Sequence, residues 1–484
     1  MVMRVVRLMH RWIGIGFCLM FAAWFLSGAV LIYHPFPSLP QSERDASHAF
    51  IDFSDIVQSP LNALMASEIE DPARLRLIDI AGQPSYIIDP EVGVSVSVSA
   101  RDGRKIDFID REVAGRQAIA FFDHSIMNID GPLDYDQWIV HQRFDPYRPF
   151  YRVHFEDSEE TVLYVSSRTG EVLQRTQGDE RVWNYLGAII HWMYPTMLRR
   201  HWALWDQVVW WGSFLGVVTT IIGLGLGVKH VRSFSSVARL NGYSPFSGWL
   251  RVHHLFGLFA GVLVLTWIVS GWLSMDHGRM FSIPEPDRSR MKAYWGISMK
   301  DAVKPLSVTS LRRLSDSHEV EFLAIGSQPF VLAKRQSGFQ VYEVMTDDQL
   351  MKVELTKDIL VNAVESAWPE SHVVVSGKVE KGDSYGQLRE GGLPENTLRL
   401  ELDDPQQTWV HIDMETGVMI SVMDQSRRIY RWLFNGLHSL DIPGFVEHRP
   451  LWDIVMLLFL TIGFTFSMTG VVIGWKRVCH DWAS

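Results

Sequence analysis

The sequence predicts an integral membrane α-helical bundle: four main transmembrane helices in two parallel repeats, with α+β domains outside the membrane. Three observations lead there. Four long uncharged stretches punctuate the chain, at 12–33, 207–228, 255–275 and 454–475. The second half repeats landmarks of the first. Between the stretches, runs of alternating apolar and polar residues break at Asp-Gly or Thr-Gly, as β-hairpins do.

Each stretch has about 21 or 22 residues, about 30 Å as helix, enough to cross the hydrocarbon of a bilayer. Trp12, Trp205, Trp210, Trp211, Trp249, Trp272, Trp452 and Trp475 gather near their ends, where interfacial anchors belong. Orientation follows from basic residues. Arg4, Arg7 and Arg11 precede the first stretch; Lys229, Arg232, Arg239 and Arg251 fill the short connection at 229–251; Lys476 and Arg477 follow the last. The positive-inside rule puts these in the cytoplasm, so the long regions 34–206 and 276–453 face outward, in a bacterial inner membrane into the periplasm. The first stretch is too long for a cleaved signal peptide and lacks a small-x-small site after its apolar run, so it reads as an anchor.

This gives helix 1 at 1–34, an outer region at 35–180, a histidine-bearing segment with helix 2 at 181–230, and a cytoplasmic connection at 231–251. Helix 3 follows at 252–276, a second outer region at 277–427, a second histidine-bearing segment with helix 4 at 428–477, and a cytoplasmic tail at 478–484. Cys18 and Cys479 are the only cysteines, without CxxC or CxxCH, so neither a disulfide nor covalently attached c-type haem is indicated. A net charge of −10 argues against a nucleic-acid partner.

The repeat carries histidines. WNYLGAIIHWMY (183–194) matches YRWLFNGLHSLD (430–441), placing His191 opposite His438 at an offset of 247 residues. The match continues through HWALWD (201–206) and HRPLWD (448–453), then Gly216/Gly463, Gly223/Gly470, Gly227/Gly474 and Lys229/Lys476. At an offset of 243, HRWIG (10–14) matches HHLFG (253–257) and WFLSG (24–28) matches WIVSG (267–271), pairing His10 with His253. The small residues of these helices serve either close packing or room for a flat cofactor. The outer regions read as about two small α+β units per half, with helices near 54–67, 111–122 and 357–368 and an exposed loop at 376–394. Their scattered carboxylates read as a solvated face.

Ionisable side chains in a membrane are costly enough to imply a role. Under a two-fold axis along the membrane normal, equivalent histidines face each other, and a b-type haem takes two axial imidazoles on opposite faces. One haem is therefore expected near the cytoplasmic side on His10 and His253, or His254 in place of His253. A second is expected near the outer side on His191 and His438. The repeated pairs His201/His448 and Asp206/Asp453 are read as helix caps, orienting groups or alternative ligands. Arg199, Arg200 and Arg449 are read as partners of haem propionates or as interfacial residues. His34 and His230 are read as lacking histidine equivalents. Zinc, the rival metal, would want a tetrahedral set rather than pairs split between two faces.

HRWIG with WFLSG, the segment around His191 before LWD, and the alternating outer hairpins together resemble the PepSY-associated transmembrane helix family, over approximately residues 4–479. The outer units resemble PepSY domains. The resemblance implies a bacterial inner-membrane protein of iron uptake, similar to ferric-siderophore reductases with two b-type haems. The family's membrane histidines correspond to His10, His191, His253 or His254, and His438. The chain has no GxGxxG fingerprint and no flavin-reductase domain, so a cytoplasmic or membrane donor is expected to supply electrons. The expected function is transmembrane electron transfer to a periplasmic ferric siderophore or related ferric chelate, with release of Fe(II). The alternative is a membrane-anchored PepSY-type module that binds or regulates a periplasmic protein. Transport is a third class, weakened by the few charges inside the four stretches.

Overall fold

The computed structural model describes the chain except residues 41–42, 45–48, 234–243, 337, 387, 389–391 and 483–484. Arg239 and part of the expected 376–394 loop lie outside the described residues. Four described helices are long and apolar enough to cross a membrane: α1 (Val2–Tyr33), α2 (Trp202–Ser233), α3 (Gly248–Ser274) and α4 (Leu451–Trp482). Each begins before its apolar stretch. In α1 nothing between Val2 and Trp12 is Gly or Pro, and Arg and Leu are good helix formers, so the helix runs back through His10. His253 likewise lies within α3.

The helices pack as a ring, α1 along α4 and α2, and α3 along α2 and α4. Repeat-equivalent helices therefore stand diagonally opposite. His191 and His438 sit instead on short helices ahead of α2 and α4, Ala188–His191 and Leu437–Ser439.

The outer part holds sixteen strands among the described residues, grouped as four-stranded units. The first unit is β1 (Pro72–Asp79), β2 (Pro84–Pro90), β3 (Val96–Ser99) and β4 (Lys105–Ile106); the second is β5 (Ile126–Leu133), β6 (Phe150–Phe155), β7 (Val162–Ser166) and β8 (Val172–Thr176). The other half repeats this with β9 (Glu319–Ile325), β10 (Gln328–Arg335), β11 (Gly338–Val344) and β12 (Leu350–Val353), then β13 (Val373–Lys378), β14 (Thr397–Leu402), β15 (Trp409–Asp413) and β16 (Met419–Met423). The expected helices are Pro60–Ser67, Arg111–Phe121 and Lys357–Ala367, each started by a side-chain cap from Ser59, Asp110 or Thr356. The expected loop at 376–394 begins instead inside β13, whose residues pair with β14.

The first units of the two halves merge. β1 pairs antiparallel with β9, with Leu75 opposite Phe322 and Leu77 opposite Val320, making one eight-stranded sheet. Both edges that would otherwise expose unpaired backbone are thereby closed. Arg74 crosses the seam to Glu321 at 2.5 Å and Glu319 at 3.2 Å. Arg76, 3% exposed, bonds Glu171 at 2.6 Å and Asp89 at 3.1 Å, fastening the first unit to the second. A buried charge satisfied on both sides fixes orientation more than it adds stability.

One buried histidine belongs to the sheets alone. His411 on β15 is fully buried; Arg399 Nε donates to its Nε2 at 2.9 Å, and its Nδ1–H donates to Ser421 Oγ at 2.9 Å. Burial, aided by the charge of Arg399, lowers its pKa to about 3. The folded form keeps His411 neutral while the unfolded chain protonates it near its ordinary value. Its contribution is thus complete above the unfolded pKa and drains away as pH falls toward the folded one, with a slope up to about 1.4 kcal/mol per pH unit. Denaturant unfolding of the outer region between pH 7 and pH 5 should show this loss, and His411→Phe should flatten it. An unchanged slope in the variant would contradict the assignment.

Candidate functional site

Two clusters of histidine sit at opposite ends of the bundle. Along α1, His10 and Ser27 are separated by 17 residues, about 25 Å of rise, so the clusters are distinct.

At the outer cluster, His191 and His438 face each other with ring centres 6.1 Å apart and planes at 68°. Two imidazoles bound on opposite sides of one metal, each with a bond of about 2.0 Å and a ring centre about 1.1 Å beyond the nitrogen, would have centres about 6.2 Å apart. Each ring is held by the repeat-equivalent WxxSG sequence of the neighbouring helix. His191 Nδ1 lies 3.1 Å from the Trp24 carbonyl and 3.2 Å from Ser27 Oγ. His438 Nδ1 lies 3.1 Å from Ser270 Oγ. Ser27 and Ser270 each donate their own proton to the carbonyl three residues back, Trp24 and Trp267, so each hydroxyl oxygen can only accept from histidine. The proton of each imidazole is therefore on Nδ1, and the lone pair is on Nε2. Gly28 and Gly271 let the rings approach: a Cβ on either would stand 3.3 Å from the Cε1 of His191 or His438.

The inner cluster repeats this logic with different partners. His10 Nδ1 donates to the Thr219 carbonyl at 3.1 Å. His253 Nδ1 donates to Thr469 Oγ1 at 2.7 Å, and Thr469 spends its own proton on the Phe466 carbonyl at 2.6 Å. Both rings again keep the lone pair on Nε2. Gly223 and Gly470, repeat equivalents, make the room, a Cβ at Gly223 falling 2.5 Å from His10 Cε1 and one at Gly470 3.9 Å from His253 Cε1. Phe466 stacks on His253 at 4.8 Å.

His254 differs. Its Nε2 faces the Gly227 carbonyl at 3.1 Å, which requires the proton there, and its Nδ1 accepts from Ser244 Oγ at 2.8 Å. Both nitrogens of His254 are thus engaged inside the helix pair. His201 and His448 are exposed at the outer ends of α2 and α4, and His201 accepts from Arg200. Asp206 and Asp453 fasten helix ends, Asp206 to His277 at 2.5 Å and Asp453 to Arg449 and to Tyr33. His277 was missed in the sequence. It stands 243 residues after His34, the same offset that relates His10 to His253, so His34 does have a histidine equivalent. The two have diverged in use, His34 stacking on Trp183 at 4.7 Å and His277 resting on Trp210 at 4.8 Å.

Among the described residues, no three or more His, Cys, Asp or Glu side chains converge as a metal-binding group. A tetrahedral zinc site needs such a set; an axial pair does not. A cleft of about 570 Å³ opens in the first half, with Tyr135, Asp136, Trp138, Arg152, Glu160 and Arg181 in its walls and Thr196, from the segment that follows His191, among its lining. In comparison with known proteins, no family model and no curated protein matches this chain.

The tight fit at the inner cluster is testable by stability. Gly223→Ala should lower stability in detergent by about 1–3 kcal/mol through overpacking against His10. Gly16→Ala, which meets nothing within 4 Å, should be neutral or stabilising. Thermal unfolding of the two variants that gave equal shifts would contradict the placement of His10.

Proposed function

We propose that the chain is a di-haem inner-membrane oxidoreductase, similar to PepSY-associated ferric-siderophore reductases, with both termini cytoplasmic and the sheet units in the periplasm. It would pass electrons from a cytoplasmic or membrane donor to a periplasmic ferric siderophore or related ferric chelate, releasing Fe(II). The observation that carries this reading is the pair His191 and His438: ring centres at 6.1 Å, with each Nδ1 on the repeat-equivalent serine, Ser27 or Ser270. The residues present fit b-type haem, His191 and His438 at the outer end and His10 and His253 at the inner. When bound, haem would supply reversible one-electron exchange.

The chain's own work is positional. The Nδ1 acceptors orient each imidazole and raise the basicity of Nε2, as groups behind metal ligands do elsewhere. Gly28, Gly271, Gly223 and Gly470 leave space beside the rings. Phe25, Val264, Trp267, Trp452 and Met456 form a buried apolar cluster among α1, α3 and α4. The cleft offers aromatic faces at Tyr135, Trp138 and Tyr185, while its arginines are paired, Arg152 with Asp130 and Asp136 and Arg181 with Glu160. Hard oxygen donors prefer Fe(III), so reduction loosens the complex.

The test is spectroscopic. Protein purified in mild detergent should show a sharp reduced α-band with dithionite and two b-type haems per chain by pyridine haemochrome. His191→Phe or His438→Phe, and His10→Phe or His253→Phe, should each remove about one haem, whereas His254→Phe should leave two. Reproducible absence of haem under ample haem supply would overturn the reading in favour of a membrane-anchored binding or regulatory module.

A further inference from the structure

Arg199 is 2% exposed and lies on the short helix Thr196–Arg199, between the His191 segment and α2. Its guanidinium lies against the rings of Tyr194 at 4.9 Å and Trp205 at 4.7 Å, which meet edge to face. Its Nε and Nη1 are buried with no hydrogen-bond partner, and no carboxylate among the described residues pairs with it. Asp145, which like Arg199 acts on His141, is committed to Arg148 at 2.8 Å. Nearby charge is positive: Arg143 lies over Phe144, in the same apolar cluster as Tyr194, and His141 stands two residues before it. Burial, then Arg199 and Arg143, lower the His141 pKa to about 4, so it stays neutral and adds no charge.

Ring faces offset only part of the cost of burying a guanidinium, and its fork of in-plane donors is left unanswered. The other arginines near this end have a counter-charge or face solvent. Arg449 pairs with Asp453, Arg200 is exposed and donates to His201, and the buried Arg431, whose Nε and Nη1 also lack a hydrogen-bond partner, has its charge answered by Asp441 at 3.1 Å.

We propose that Arg199 is an anion site at the outer end of the bundle, taking a carboxylate oxygen through one of its unpartnered donors, Nε–H or Nη1–H. The inference rests on the reading of function above. The carboxylate could come from a propionate of the outer haem or from a soluble ferric chelate, and the two sources give different results. Arg199→Met keeps the stem and removes the fork; Arg199→Lys keeps the charge and guards against simple misfolding, checked by gel filtration and unfolding temperature. If the partner is a propionate, Arg199→Met lowers haem content toward one per chain or lowers one midpoint potential, and KM for ferric citrate is unchanged. If the partner is a soluble chelate, haem content and midpoints hold while KM for ferric citrate rises at least tenfold, with a neutral ferric trihydroxamate unaffected. Arg199→Lys falls between wild type and Arg199→Met in either case. Haem content, midpoints and both KM values all within twofold of wild type in both variants would overturn the proposal. Should the wild-type chain hold no haem, the functional reading fails, and the anion site is then judged by iron-free citrate. Citrate quenching of tryptophan fluorescence, with Trp205 beside the site, must weaken at least tenfold in Arg199→Met; no quenching, or equal quenching, rejects the site.

Discussion

A neutral imidazole has one proton for two nitrogens, and the candidate sites depend on where that proton is held. At His10 and His191 a backbone carbonyl faces Nδ1, and at His253 and His438 a hydroxyl oxygen whose own proton goes to a carbonyl does so, an arrangement that leaves the lone pair on Nε2. His254 shows that this is a choice rather than a default. One residue from His253 on the same helix, it meets a carbonyl at Nε2 and takes the opposite tautomer. The acceptors come from a different helix in each of the four cases, so the proton arrangement exists only once the ring of helices has closed.

The pseudo-two-fold relation runs through the whole molecule. In the bundle it sets equivalent helices diagonally and brings His191 to His438. In the outer part it joins β1 to its counterpart β9 in antiparallel register. An antiparallel pair is what a two-fold axis between equivalent strands produces, so sheet and bundle obey one symmetry. The symmetry is not kept in detail. Thr219 and Thr469, which hold the inner pair, are not repeat equivalents, and Asp206 and Asp453 have taken different partners.

Much of this was legible in the sequence. Length and apolarity gave the four helices, alternation with Asp-Gly and Thr-Gly breaks gave the hairpins, and the repeat gave the histidine pairs. The small residues Ser27-Gly28 and Ser270-Gly271 were visible but ambiguous between packing and cofactor space; the fold shows that the serine holds a ring and the glycine makes room for it. What was not legible depends on distance along the chain. The β1–β9 seam joins residues about 245 apart with no local signal. The choice between His253 and His254 turns on which helix each faces, and Arg199 looks like any interfacial arginine until its burial is seen. His277 is the opposite case, since its match to His34 was in the sequence to be read.

The central claim is that paired histidines, not a mixed or three-ligand set, hold the metal centre at each end. Low-temperature electron paramagnetic resonance of the oxidised, purified protein tests it most directly. The account predicts two low-spin ferric signals of the bis-imidazole type, one lost in His191→Phe and the other in His253→Phe. A dominant high-spin ferric signal in the wild type, or low-spin signals indifferent to both substitutions, would contradict it.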